Sequence, residues 1–282
     1  MAEGSGNGSR AGDSKLRSRP LTIDNGRGER LAARLDLPAE SEPVAVALLA
    51  HCFTCSKDLR GLRQVSGAIA EAGFAVLRLD FTGLGESEGE FAETTFSTNV
   101  SDVTAALDSI EGELGLPQLL VGHSLGGAAV LAAALKRPDV RAVATIAAPA
   151  DPAHLTELLH DQLQPLEKEE SVMIDIGGRP FEVRRELIED LRASELPSAL
   201  SDLRRPLLIV HSPADGTVGI EQASELFSAA RHPKSFVAVD GAHHLLTDPR
   251  DASFVGHIIA AWASRYVVES GERSSAGGVA RA

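Results

Sequence analysis

The segment Gly122-His123-Ser124-Leu125-Gly126-Gly127 follows the apolar run Leu119-Leu120-Val121 and precedes an alanine- and leucine-rich stretch from Ala128 to Leu135. A strand, a sharp turn carrying a serine, and a helix together lift a hydroxyl above a sheet, where it can attack a carbonyl. The serine must then take a strained backbone conformation. Gly122 and Gly126 leave room for strand and helix to approach, because neither has a Cβ. A serine hydroxyl is a poor nucleophile at its own pKa. It needs a base, usually histidine, and the histidine needs an orienting acid.

The acid candidate is Asp215. It follows the strand-like run Leu207-Leu208-Ile209-Val210-His211 and precedes Gly216-Thr217-Val218, which puts a carboxylate just past a strand's carboxyl end. Asp240 and Asp248 compete. Asp240 reads as a turn cap, and Asp248, before Pro249-Arg250, as a helix-start carboxylate favoured by the helix dipole. The base lies in Gly241-Ala242-His243-His244. Two adjacent histidines cannot both enter one site from an extended loop. His244, with Leu245-Leu246 packing behind it, is preferred, and His243 is the alternative.

Acyl transfer also requires donors for the oxyanion, each contributing ~2.7–4 kcal/mol in the transition state. One is the backbone N–H of Leu125, next after the nucleophile. The second is assigned to the N–H of Phe53, in the loop His51-Cys52-Phe53-Thr54.

Cys52 and Cys55 are the only two cysteines. They do not make a disulfide framework, and without a second CxxC or CxxH they do not make a structural zinc site. A redox pair remains an alternative use. No metal ion or cofactor is expected. His51 is expected to hydrogen-bond the backbone. The run Asp80-Phe81-Thr82-Gly83-Leu84-Gly85-Glu86-Ser87 lacks the lysine and spacing of a phosphate loop, so it reads as a structural turn.

Elements must deliver these groups to one place. An antiparallel pair is expected at 21–24 and 31–37. A strand buried on both faces follows at 44–50, and further strands at 74–81, 118–121, 140–147, 207–210 and 235–239. Helices are expected at 59–72, 99–113, 128–135, 220–230 and 252–266. Strands alternating with helices imply a doubly wound, mostly parallel α/β sheet. Ligands bind such sheets at the strands' carboxyl ends, where all the candidates lie. The alternation stops at 149–203, where a helix, a hairpin around Gly177-Gly178 and another helix are expected as a lid insert. Residues 1–20 and 267–282 read as disordered tails, leaving one domain over 21–266.

The chain has 282 residues, 43% hydrophobic content and a formal net charge of −13. No basic stripe suggests nucleic acid, and no apolar run suggests a membrane span. The opening residues lack the apolar core of a secretory signal, so a cytoplasmic location is the default. The acidity reads as solubility, with a small-molecule substrate as the partner.

Together these segments resemble the α/β-hydrolase superfamily over nearly all of 21–266. They are similar to its serine aminopeptidase/esterase-like branch, through His51 to Phe53, Asp80 to Ser87, Gly122 to Gly127, Asp215 and Gly241 to His244. More narrowly, His51 to Asp58 and Phe81 to Ser87 look like the hydrolase half of bacterial α/β-hydrolase–OsmC fusion proteins. The chain ends where the OsmC-like domain would begin, so its peroxide function is not expected here. Cys52 stands at the branch's usual glycine, which reshapes the oxyanion loop. The usual Gly-Ala-Asp-His reads Gly-Ala-His-His, which favours His244. The resemblance implies a serine hydrolase acting through an acyl-enzyme on a small ester, thioester or amide. The alternatives are a non-catalytic binding protein on the same fold and a thiol redox protein using Cys52 and Cys55.

Overall fold

An unbroken apolar run has no face to offer water, so such strands exist only in a sheet covered front and back by helices. The computed structural model, which describes residues 16–115 and 117–267, has that layout. It opens with an antiparallel pair, β1 (Leu16–Asp24) and β2 (Arg30–Pro38), in register from Leu16↔Pro38 to Asp24↔Arg30. The chain continues through β3 (Ala45–Ala50), α1 (Arg60–Glu71), β4 (Phe74–Leu79), α2 (Phe96–Leu114), β5 (Leu119–His123), α3 (Leu125–Lys136) and β6 (Ala142–Ile146).

Between β6 and the next sheet strand come α4 (His154–Leu158), α5 (His160–Leu163), a hairpin of β7 (Ser171–Ile176) and β8 (Arg179–Arg184), α6 (Arg185–Arg192) and α7 (Leu196–Ala199). Gly177 and Gly178, with φ of 62° and 79°, supply the two positive-φ positions of a two-residue hairpin turn. The main sheet then resumes with β9 (Leu207–His211), α8 (Ile220–Ala229), β10 (Lys234–Ala238) and α9 (Pro249–Val267).

The eight strands lie in the order β1-β2-β4-β3-β5-β6-β9-β10, parallel from β4 to β10. Leu48, Leu77, Leu120 and Val143 face α2, α3 and α8. Leu49, Val76, Val121 and Ala144 face α1 and α9. Because β4 and β5 flank β3, the chain reverses direction there, and a crevice opens at the carboxyl ends of β3 and β5. Ala50 pairs with Gly122, so the loop from His51 and the turn at Ser124 emerge side by side.

The first strand starts at Leu16, which corrects the expectation of a tail up to residue 20. Its exposed Arg and Ser positions hide it from a search for buried alternation, and an edge strand tolerates Pro20. Helix α9 likewise runs one residue into the expected second tail, ending at the buried Val267. The remaining expected tail residues, 1–15 and 268–282, lie outside the described residues. Among the described residues no helix is long and apolar enough to cross a membrane.

Candidate active site

Ser124 sits between β5 and α3 with φ 54° and ψ −127°, a region that L-residues avoid. The surroundings hold it there. Its N–H donates to the Ile146 carbonyl at 2.9 Å, and its own carbonyl accepts from Gly127 N–H at 2.8 Å. A Cβ on Gly122 would run into the Gly126 carbonyl, and one on Gly126 into the His51 carbonyl, so the turn admits no larger residue at either place. The serine is 9% exposed.

Asp215 and His244 come together from different strand ends. Asp215 follows β9, where its Oδ1 accepts from the N–H groups of Thr217 (2.8 Å) and Val218 (3.0 Å). Its Oδ2 lies 2.8 Å from His244 Nδ1. Burial pushes the Asp215 carboxyl up, but the His244 hydrogen bond and charge, with those two N–H groups, outweigh it and hold the pKa below the usual carboxylate range. An ionised carboxylate only accepts, so His244 donates from Nδ1, and its Nε2 is left as the basic nitrogen. His243 is exposed. Asp248 is engaged with the Arg250 guanidinium and backbone N–H at the start of α9.

Beneath His244 lies His123, the last residue of β5. Its Nε2 donates to the His244 carbonyl at 2.7 Å, and the two ring centroids are 4.9 Å apart. Sequence reasoning missed this residue, although it directly precedes the nucleophile. Helix α1 holds the His244 loop from the other side. A Cβ on Gly61 would stand 2.8 Å from the Leu246 carbonyl and closer still to that of Leu245.

The loop after β3 is pinned at several points. His51, fully buried, donates from Nδ1 to the Cys52 carbonyl (2.7 Å) and accepts the Phe81 N–H on Nε2 (3.2 Å). Burial, the largest influence, holds its pKa below the ordinary histidine value. Cys52 and Cys55 form a disulfide with Cα atoms 5.3 Å apart. Two cysteines staple one tight turn rather than a framework, a use that a count of cysteines does not reveal. Thr54, inside that turn, has φ 58°, an outlier for a β-branched residue.

Asp80 ties this loop to the turn at 80–87. It accepts from the Lys57 N–H (2.5 Å), Lys57 Nζ (2.8 Å) and the Glu86 N–H (2.9 Å). The turn expected to be structural is therefore held by a buried ion pair. Burial disfavours the Lys57 ammonium, but Asp80 and Glu86 outweigh it and raise its pKa.

The N–H groups of Phe53 and Leu125 donate to no protein acceptor among the described residues. The Phe53 ring packs on Phe91 (centroids 5.5 Å), and Phe91 packs on Phe181 of β8 (5.2 Å). Arg179, also on β8, donates to the Thr54 carbonyl at 2.6 Å. Neither Phe91 nor Phe181 carries a sequence signal, because isolated aromatics in turns and hairpins look like ordinary core.

This arrangement has counterparts in known proteins. The family model described as serine aminopeptidase, S33, matches residues 42–169. The crystal structure of the esterase domain from a Rhodothermus marinus protein is 49% identical and superposes with a TM-score of 0.73, over 89% of this chain and 99% of that one. The chain is an α/β-hydrolase. Human monoglyceride lipase is 29% identical to this hydrolase over 226 residues, 69% of this chain and 75% of that enzyme. The mouse mitochondrial palmitoyl-protein thioesterase ABHD10 is 46% identical over 81 residues, 28% of this hydrolase. That match spans only 26% of the thioesterase's own length.

Proposed function

We propose that this hydrolase cleaves a small carboxylic ester, thioester or amide through an acyl-enzyme on Ser124. The observation that carries the reading is the 2.8 Å contact of His244 with Asp215, on loops that emerge at the same sheet edge as the strained serine turn. His244 Nε2 takes the Ser124 proton as Oγ attacks the carbonyl carbon, and Asp215 stabilises the imidazolium that results. The N–H groups of Phe53 and Leu125 receive the oxyanion. His244 then returns the proton to the leaving alcohol, thiol or amine. A water attacks the acyl-enzyme by the same route in reverse, and the acid is released.

Similarity to a lipase and a thioesterase supports acyl esters and thioesters ahead of amides. The segment between β6 and β9 supports a lid role, since Arg179 bonds to the loop that carries Phe53 and Phe181 packs on Phe91, which in turn packs on Phe53.

A fluorophosphonate probe tests the reading, because it labels only an activated serine. The wild-type protein should be labelled and should hydrolyse p-nitrophenyl esters, while Ser124→Ala does neither and keeps its melting curve. An unlabelled, folded wild type would favour a non-catalytic binding protein. A panel of esters of rising chain length then defines the acyl preference.

A further inference from the structure

His123 is a buried, titratable group that the reaction above does not use. It is 1% exposed. Its Nε2 bonds to the His244 carbonyl, and its Nδ1 is buried without a hydrogen-bond partner. A carbonyl accepts, so Nε2 carries the proton and Nδ1 is left as a lone pair. Protonating Nδ1 would create a buried donor with nothing to receive it. The ring is therefore held neutral by its surroundings. Burial, reinforced by the charges of His244 and His51 and opposed by Asp215, brings its pKa down to about 3.

The loop it supports needs support. Leu246 takes φ 49°, a conformation that persists in a leucine only when neighbours enforce it. The Leu246 N–H closes a turn on the His243 carbonyl at 2.9 Å. His244 thus rides on a strained turn whose backbone is tethered from below by one side-chain hydrogen bond, at its own carbonyl.

We propose that His123 is a positioning residue for the general base: it fixes the His244 backbone through its N–H and presents an uncharged ring to the imidazolium that forms during attack. The inference rests on the serine-hydrolase reading. It separates two jobs within one side chain, donating a hydrogen bond and staying neutral. A lysine or arginine could do the first but not the second, and a phenylalanine the second but not the first.

The test compares His123→Gln, which keeps an N–H donor, with His123→Phe, which keeps a ring and loses the donor. Both are assayed on p-nitrophenyl acetate for kcat and KM, beside wild type and Ser124→Ala, with melting curves for all. The Phe variant should lose about 10- to 100-fold in kcat, the scale of a small misplacement of a catalytic group, with KM nearly unchanged. The Gln variant should recover most of that loss. If the Phe ring does not fit and that protein fails to fold, His123→Ala takes its place. A simple loss of folding would lower both variants with their melting temperatures and would not split kcat from KM. Equal losses in the donor-keeping and donor-lacking variants overturn the inference, as does near wild-type kcat in both while Ser124→Ala is dead. Hydrolysis that survives in Ser124→Ala removes the serine reading, and this inference with it.

Discussion

Asp215 divides its two oxygens between backbone and base: Oδ1 receives the Thr217 and Val218 N–H groups, and Oδ2 receives His244 Nδ1 at 2.8 Å. The backbone bonds hold the carboxylate independently of the histidine. Replacing it with asparagine keeps the shape but offers an N–H where an acceptor is required, or forces His244 into the wrong tautomer. Asp215→Asn should therefore cost on the order of 10⁴ in kcat, by analogy with the serine-protease case, and change KM little. Asp240→Asn and Asp248→Asn, assayed beside it, should be mild. A mild Asp215→Asn would transfer the role of the acid elsewhere.

The adjacent histidines differ in surroundings. His244 is partly buried against Asp215 and His123, while His243 is exposed. His244→Ala should lower kcat by at least the 10²–10⁴-fold typical of a lost general base. His243→Ala should stay close to wild type. The reverse pattern in kcat would move the base to His243.

Gly61 lies in α1, far from Ser124 in the chain, yet its missing side chain gives the His244 loop its seat. Gly61 is the second residue of the helix, where alanine is ordinarily accepted as readily as glycine. Here its Cβ would meet two backbone carbonyls, those of Leu245 and Leu246. Gly61→Ala should lower kcat by roughly tenfold or more as His244 is displaced. A variant with higher Tm and full kcat would show that the loop has room to yield.

Acid stability follows from His123. In the unfolded chain it titrates near the ordinary 6.5, whereas in the fold its pKa lies at about 3. The unfolded state therefore binds more protons in that window, and stability falls as pH is lowered through it. The slope is roughly 1 kcal/mol per pH unit for one such group. His51, also buried with a lowered pKa, acts in the same direction. Urea unfolding of His123→Gln between pH 7 and 4.5 should show a flatter decline than wild type. Parallel declines would mean that His123 titrates normally in the fold.

Cys52 and Cys55 bracket the residue assigned to the oxyanion. If they were the reactive centre, Cys55→Ser would abolish activity and Ser124→Ala would not. The expected result is the opposite: ester hydrolysis persists in the Cys52→Ser/Cys55→Ser double variant at a reduced kcat. The loop closed by this disulfide is very short, so its removal should lower Tm only modestly. Tm and kcat of the double variant, with and without dithiothreitol, check both statements.

Much of the fold is legible because burial on both faces leaves a simple record. β3, β4, β5, β6 and β9 are buried at every residue, and the apolar runs that make up most of each announce them. Ser124, Asp215 and His244 are legible for a different reason: each directly follows, or lies soon after, a strand's carboxyl end. What the pattern hides is polar burial. Arg78, in β4, pairs at 2.7 Å with Asp36, in β2, and neither residue's partner is visible from its own neighbourhood. The first part of β1, residues 16–20, is missed because an edge strand is half exposed. The start of α2 is missed by three residues, because the reciprocal capping of Thr95 with Thr98 has no glutamate to announce it. The role of His123 depends on which loops meet in space, and a single chain read in order does not record that.

The aromatic contacts Phe53–Phe91–Phe181, with Arg179 on the Thr54 carbonyl, have a mechanical consequence. Through these contacts the β7–β8 hairpin and the turn that presents Phe53 form one lever. An acyl chain that lifted the hairpin to make space for itself would also pull on the turn to which the oxyanion donor is assigned. Poorly fitting substrates would then bind well enough but react slowly, because the strain of accommodating them is delivered to the donor that the transition state needs. Size discrimination in this hydrolase would be written in turnover rather than in affinity.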